Sequence, residues 1–427
     1  LGLQKGTGVA TYARNLSHQL ARMGHSVSVL YGNRAAPDRD PLLREIAFFD
    51  SNVGEPNRWL EFIEQANRAL LGPLGHVALD VPITGKIVAR AFEARLPHFD
   101  DLYNATDVFK RSQSAFKLWG SLSRVKLPRR PDLVHWTYPV PLTVRKVPNI
   151  YTLHDLVPLR LPYTTLDNKK TYLKMLQELA KTAAHFVTVS ECSRRDLIDI
   201  LGLPPDQVTN TYQSVEIPAK YRDKPDEQVA REVEGATGVG YRDYYLFWGS
   251  IEPKKNIGRM IEGYLASGVD APLVIVGAQA WKSDEELRLL NDENIRYLSM
   301  IDNTIRTRKR IIQLSYAPFS LLVSLIRGAK AALFPSLYEG FGLPALEAMA
   351  LGTPVICSNT SSLPEVAGDA ALMIDPYDTG ALAGAIRTMD ADADLRDEYR
   401  RRGIAQAAEY SPENYRMRLK GVYDRFV

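Results

Sequence analysis

One stretch constrains this chain more than any other: Ala331 to Cys357, AALFPSLYEGFGLPALEAMALGTPVIC. Ala331-Ala332-Leu333-Phe334 is a short apolar run, the pattern of a strand buried on both faces. Pro335 cannot continue a central strand, so the chain turns there. Gly340 and Gly342 let the backbone fold tightly and come close to a ligand. A helix is predicted from Leu343 or Pro344, where the missing donor of proline is not needed. Leu346, Met349 and Ala350 form its apolar face. Gly352 stands where a helix-terminating glycine belongs, with Pro354 just beyond. Val355-Ile356-Cys357 resumes as a strand. Strand, loop, helix, turn and strand in this order belong to an α/β fold.

The chemistry of the stretch lies in its loop and first helical turns. Glu339 stands on the loop and Glu347 inside the helix, with the free N–H groups of the helix start between them. Such an end favours anions, phosphate above all. Phosphate-binding amides flanked by two carboxylates suit a ligand with phosphates at one end and hydroxyls at the other, as in a nucleotide sugar. Two glutamates at this spacing are, by themselves, more often solvated loop and helix residues, since exposed carboxylates are usual.

Glu339-Gly-Phe-Gly-Leu-Pro-Ala-Leu-Glu347 resembles the E-x7-E motif of the family 4 retaining glycosyltransferases. Phe334-Pro335-Ser336 before it and Gly352-Thr353-Pro354-Val355 after it match as well. The resemblance implies that Glu339 lies by the donor sugar and that Glu347 binds the nucleotide ribose. The segment Gly340, Phe341, Gly342 and Leu343 would line the donor. Lys5-Gly6-Thr7-Gly8 is a glycine loop at a helix start. It lacks the third glycine of a dinucleotide fingerprint but resembles the family's N-terminal loop, with Gly8 closest to the donor phosphates. Thr152-Leu-His-Asp-Leu-Val-Pro158 resembles the histidine-aspartate loop, which assigns His154 to the transferred sugar. Ser190 matches a serine near the acceptor side. Gly249-Ser-Ile-Glu-Pro-Lys-Lys-Asn256 resembles the family's diphosphate-binding segment, with Lys255 at its lysine position. Ser250 stands where the family has arginine, and Lys254 is the candidate for the missing charge. Gln213-Ser214-Val215-Glu216 departs from the family's asparagine-glycine-valine-aspartate, so no ligand contact is expected there.

The remainder of the chain follows an α/β alternation. Val9, Ala13, Leu16 and Leu20 fall at helical spacing, Gly24 ends that helix, and His25 to Leu30 alternates into a strand. A further strand is expected before Leu1, because a glycine loop of this kind follows a strand. Pro37 to Pro82 is assigned to helices and loops on the acceptor side. Asp132 to Trp136, Asn149 to Leu153 and Phe186 to Ser190 are predicted strands. Pro218 to Arg242, charged and glycine-containing, is predicted to be an interdomain linker. The alternation restarts at Tyr244 to Trp248 and continues with strands at Pro272 to Val276 and Asn294 to Leu298. Ile301 to Phe319, with Arg306 and Arg308, is assigned to a loop and helix rim near the donor base. Strand Ala371 to Ile374 and a helix from Thr379 to Met389 follow. Ser411-Pro412-Glu413 starts the last helix.

Composition narrows the function. At 427 residues the chain is long enough for two or three domains. Its net charge of +3 is too small to argue for nucleic acid. Two cysteines, Cys192 and Cys357, form no metal spacing or disulfide framework and fit a reducing compartment. The longest apolar stretches, such as Ala317 to Ile326, are too short to span a bilayer. Val108 to Pro131 contains no acidic residue. Lys110, Arg111, Lys117, Arg124, Lys126, Arg129 and Arg130 are interleaved there with Phe109, Phe116 and Trp119. Leu118, Leu122 and Val125 add an apolar stripe at helical spacing. The segment is either an interfacial helix on anionic lipid or an amphipathic helix with its aromatics in the core.

The expected architecture is therefore α/β: two Rossmann-like doubly wound parallel-sheet domains facing across a cleft, the GT-B arrangement. The domains are residues 1–220 and 243–405, with helix 411–427 packing back on the first. The expected reaction is transfer of a sugar, mannose among the candidates, from a GDP- or UDP-linked donor to a hydroxyl acceptor with retained configuration. His154, Glu339 and Lys255 would be the catalytic residues, with no metal and no cofactor. The resemblance implies a lipid-linked or polysaccharide acceptor of the bacterial surface. The expected location is cytoplasmic, with peripheral contact at the inner face of the membrane. Two alternatives stand beside this reading: an epimerase or phosphorylase of the same fold, and a non-catalytic glycan- or lipid-binding module.

Overall fold

The computed structural model describes residues 8–35, 38–50, 75–87, 96–278, 296–301 and 304–427, with backbone alone over 296–301 and 304–309. Lys5, Gly6 and Thr7 of the glycine loop, and parts of Pro37 to Pro82, lie outside the described residues.

The second half is built on a six-stranded parallel sheet. Its order is Ile311–Leu314, Leu273–Val276, Tyr245–Trp248, Ala331–Phe334, Val355–Ser358 and Leu372–Ile374. The four central strands are buried along their whole length. That is why they appear in sequence as continuous apolar runs. Strand order reverses between Tyr245–Trp248 and Ala331–Phe334, which makes the crevice at their carboxyl ends a ligand site by topology.

The first half is more divided. Val208–Asn210, His185–Thr188, Asn149–Leu153 and Val134–Trp136 form a four-stranded parallel sheet. Ser28–Tyr31 pairs parallel with Asp101–Asn104, whose other edge pairs antiparallel with Leu79–Asp80. A small third sheet joins His76–Val77, Ser123–Lys126 and Leu142–Thr143. Among the described residues no strand pairs across the two halves. The last helix, Pro412–Tyr423, capped by Ser411, returns to the first half. There Tyr423 shares a hydrogen bond of 2.6 Å with Nδ1 of His135, and Phe426 packs against His185.

Three sequence expectations are corrected. Pro218 to Arg242 is no linker: it holds helices Ala219–Arg222 and Asp226–Thr237. Val229 and Val233 bury one side of the longer helix in the second half. Lys224, also buried, donates to Glu232 at 2.6 Å and to Ser324 at 3.0 Å. The charges that suggested a linker cover a packed helix. Ile301 to Phe319 is not a loop and helix rim. Arg296–Ile301 and Thr304–Lys309 form an antiparallel hairpin, followed by the edge strand Ile311–Leu314. The helix within Val108 to Pro131 ends at Trp119, where Gly120 takes a left-handed conformation (φ 67°). Leu122 lies beyond that helix, and Val125 points inward from the strand Ser123–Lys126.

Candidate active site

The site grows from the carboxyl ends of the two strands at the switch point. After Trp248 the chain turns through Gly249, then runs through a short 3-10 turn Pro253–Lys255 to Asn256. Asn256 adopts a left-handed conformation (φ 62°), and its side-chain amide donates to the carbonyls of Pro335 (2.9 Å) and Pro376 (2.7 Å). One residue thereby fixes the lysine turn against two other loops. Nζ of Lys255 donates to Oε1 of Glu339 at 2.7 Å, and Ser336 Oγ donates to the same oxygen at 2.7 Å. The Glu339 backbone is held as well: its N–H donates to Ser361 Oγ and its carbonyl accepts from Ser362 Oγ, both at 2.9 Å. Burial works to raise the Glu339 pKa, but the ammonium groups of Lys255 and Lys254 and the two hydrogen bonds outweigh it. The carboxylate is held below its ordinary range and stays ionised.

Lys254 lies 3.5 Å from Asp155 and 3.9 Å from Glu252. Burial disfavours its charge, yet Asp155, Glu252 and Glu339 together raise its pKa above the ordinary value. Two ammonium groups therefore converge where the strand ends. Ser250 is exposed, and its hydroxyl donates to Glu252 at 3.2 Å. It supplies no charge, and Lys254 carries the second cation beside Lys255.

His154 faces this cluster from the first half, at the end of strand Asn149–Leu153. Its Nε2 lies 2.9 Å from the carbonyl of Thr137, so that nitrogen carries the proton. Burial lowers its pKa against the Thr137 bond and Asp155. A neutral ring leaves Nδ1 as an acceptor. Tyr12, on the helix Gly8–Arg22, packs edge-on to it at 4.8 Å.

Gly340 explains why this loop needs glycine: a Cβ there would meet the carbonyl oxygen of His154 at 2.3 Å. The two halves touch at that point. Ser193 Oγ lies 2.9 Å from the His154 carbonyl and 3.3 Å from that of Gly340. Gly342 starts the helix Leu343–Ala350 with φ 94°, beside Leu363. Phe341 turns its ring away, into Tyr410 (5.6 Å) and Tyr212 (6.3 Å), so only its backbone faces the cleft.

Glu347 is separate from the lysine cluster. Its Oε2 accepts from the indole N–H of Trp248 at 3.1 Å. Burial raises its pKa to about 7, with Trp248 opposing the shift.

Ser190 is placed differently from expectation. It is fully buried (0 % exposed) and caps the helix Glu191–Leu201, accepting from Ser193 N–H at 3.0 Å. It holds Ser193 and does not line an acceptor surface. Gly8 opens the first helix with open space around it. The side chains of Arg306 and Arg308 lie outside the described residues. Sequence reasoning missed Trp248, Ser336 and Glu365. Glu365 Oε2 accepts from Glu191 N–H at 2.9 Å, and its Oε1 from Cys192 N–H at 3.0 Å. That carboxylate of the second half caps a helix of the first. Tyr338 likewise donates across the cleft to Asp196. Among the described residues no group of three or more His, Cys, Asp or Glu side chains is arranged to hold a metal ion. No helix among them is long and apolar enough to cross a membrane.

Parallel α/β halves, a lysine–carboxylate cluster at a switch point and a second carboxylate beyond it define a two-domain protein of the GT-B class. Residues 239–406 match the model of the glycosyl transferases group 1 and residues 87–216 that of Glycosyltransferase Family 4, and the chain belongs to this glycosyltransferase family. It is 32% identical over 274 residues to O-antigen chain mannosyltransferase B of Escherichia coli, covering 62% of this chain and 67% of that protein. It is 26% identical over 283 residues to the serotype-specific mannosyltransferase WbdA of Escherichia coli, where the match covers 65% of this chain but 34% of the relative. In fold it is similar to the sucrose-phosphate synthase of Thermosynechococcus elongatus (TM-score 0.62, 16% identity, 100% of this chain and 95% of that one).

Proposed function

We propose that this glycosyltransferase moves a mannosyl unit from a nucleotide diphosphate sugar to a hydroxyl of a surface glycan, with retained configuration and without a metal ion. The observation that carries the reading is the Lys255–Glu339 pair, with Lys254 beside it, at the switch point of the second sheet. Cleavage of the sugar–phosphate bond leaves charge on the diphosphate. Preformed cations in a buried place stabilise such charge without reorganising. Lys255 and Lys254 are those cations, and the N-terminal amides of helix Leu343–Ala350 add to them. Glu339, ionised and fixed by Lys255 and Ser336, takes hydroxyls of the transferred sugar. Nδ1 of His154 accepts another from the opposite wall. Glu347, at the far end of the site, takes the ribose. Mannose as the sugar is supported by relatives that are themselves mannosyltransferases. The donor is GDP- or UDP-linked. A polysaccharide acceptor is supported by a relative named for the O-antigen chain; the proposed acceptor is lipid-linked or polysaccharide, met at the inner face of the membrane.

The test is transfer of labelled sugar from GDP-mannose, and from UDP-glucose as the contrast, with and without EDTA. Turnover with GDP-mannose that persists in the chelator supports the reading. Activity restored only by Mg²⁺ or Mn²⁺ overturns the metal-free mechanism. A bound donor at 100 times its dissociation constant adds about 2.7 kcal/mol of stability, so a thermal shift identifies the base independently of turnover.

A further inference from the structure

The mouth of the cleft carries a group of side chains that the reaction above does not use. Tyr163 comes from the first half, on the short turn Pro162–Thr164 that follows His154 and Asp155. Tyr377 comes from the second half, in the turn between strand Leu372–Ile374 and helix Thr379–Ala391. They are 58% and 55% exposed. Their phenol groups lie close enough to interact electrostatically, and Arg259 acts on the same pair. The guanidinium carbon of Arg259 stands 5.3 Å from the centre of the Tyr377 ring, and its Nη1 donates to Oδ1 of Asn256 at 3.0 Å.

The frame that holds these groups is that of the active site. Asn256 directly follows Lys255 in sequence, and its amide holds the carbonyl of Pro376, the residue before Tyr377, at 2.7 Å. Tyr377 and Arg259 are thereby tied to the lysine turn. Tyr163 is tied through its own short segment to the histidine loop. Singly exposed aromatic rings are ordinary. Two that meet from opposite walls of a cleft, one of them under a guanidinium, form a defined surface at its entrance.

We propose that Tyr163, Tyr377 and Arg259 form a saccharide subsite, which holds a sugar of the acceptor glycan behind the one that reacts. This rests on the glycan-transfer reading above. The chemistry selects the occupant. The apolar face of a sugar ring packs on an aromatic face, while phenol and guanidinium groups bond the hydroxyls at its rim. A phosphate calls for more than one cation, and Arg259 already directs one donor to Asn256. A lipid tail leaves the phenol hydroxyls and the guanidinium unmatched. On glycan entry the exposed phenol groups exchange water for sugar hydroxyls, which costs little because both rings are already solvated.

The experiment compares a short probe, methyl α-mannoside, with a long one, an α-linked mannotriose. Binding is measured by calorimetry and transfer is measured with GDP-mannose. In Tyr163→Ala and in Tyr377→Ala the dissociation constant and KM for mannotriose should rise by about tenfold each. Those for methyl α-mannoside and the affinity for GDP should hold. Tyr163→Phe and Tyr377→Phe, which keep the ring, should retain most of the mannotriose affinity. Unchanged mannotriose affinity in both alanine variants overturns the proposal. So does wild-type protein that binds no mannotriose, or an equal loss for mannotriose, methyl α-mannoside and GDP, which marks a general opening of the cleft. Mannotriose binding that depends on the tyrosines without any transfer from GDP-mannose keeps the subsite and sinks the mannosyl-transfer reading. Transfer that ignores the tyrosines does the reverse.

Discussion

The indole N–H of Trp248, the last residue of its strand, donates to Oε2 of Glu347, a residue inside the helix Leu343–Ala350, at 3.1 Å. The bond joins the two halves of the switch point. It orients the carboxylate proposed to hold the ribose, and it favours the ionised form against burial.

That relationship has a pH signature. Glu347 has its pKa raised to about 7, so it gains a proton as pH falls through neutrality and loses acceptor capacity for ribose hydroxyls. The donor KM should therefore rise as pH drops below about 7, with kcat less affected, because ribose does not react. Trp248→Phe keeps the ring and removes the N–H. Burial then acts unopposed, and the acid limb should move to higher pH. Donor KM against pH for both proteins is the measurement, and coincident profiles would remove Trp248 from this role.

Lys255 should act on a different parameter. In the proposed reaction its ammonium faces charge that grows as the sugar–phosphate bond breaks. Lys255→Met should lower kcat by about 10²–10³, roughly 3–4 kcal/mol. Lys254→Met should do less, since its nearest partner is Asp155 across the cleft. Thermal melts separate catalysis from folding, because the loss of Lys255 leaves the buried Glu339 carboxylate short of a partner. Near-normal kcat in a folded Lys255→Met protein would move the leaving-group role to Lys254.

Glu365 should control closure. Its two oxygens cap the N–H groups of Glu191 and Cys192 in the other half. Glu365→Ala removes a capping contact of roughly 1 kcal/mol. The expected result is a larger radius of gyration by small-angle scattering and a weaker response of that radius to donor. An unchanged scattering curve would mean that Tyr338–Asp196 and Lys254–Asp155 hold the cleft without it.

The basic segment divides between the two sequence readings. Phe116 is buried, whereas Leu118 and Trp119 are 57% and 52% exposed, beside exposed Lys117, Arg124 and Lys126. Binding to anionic vesicles is expected to weaken in Leu118→Ser/Trp119→Ser and to fall as salt rises. Sedimentation with vesicles of phosphatidylglycerol checks both. Binding that survives the double change in high salt would place the contact elsewhere.

Strands Asn149–Leu153 and Ala331–Phe334 were legible in the sequence at their observed bounds, and helix Leu343–Ala350 was legible between its start at Leu343 or Pro344 and the glycine Gly352. Each is a continuous or periodic apolar run closed by proline or glycine, and such runs arise wherever a face must leave water. Helix Ala393–Ala408 was not legible. The residues it buries are Gly403, packed tightly against Met349, and Ala407, so no apolar stripe marks it. Helix Asp226–Thr237 was hidden by its charged outer face in the same way. Glu339, Glu347, Lys255 and His154 could be found because their spacing resembles a known motif. Their electrostatic states could not. Glu339 is held ionised by Lys255 from 84 positions away, and Glu347 is oriented by Trp248 from 99. Glu365 caps a helix start 174 positions earlier. Sequence pattern records which faces a chain must bury, because burial is a property of each segment. Which charges meet, and at what pKa, depends on segments brought together from afar, and that only the tertiary structure decided.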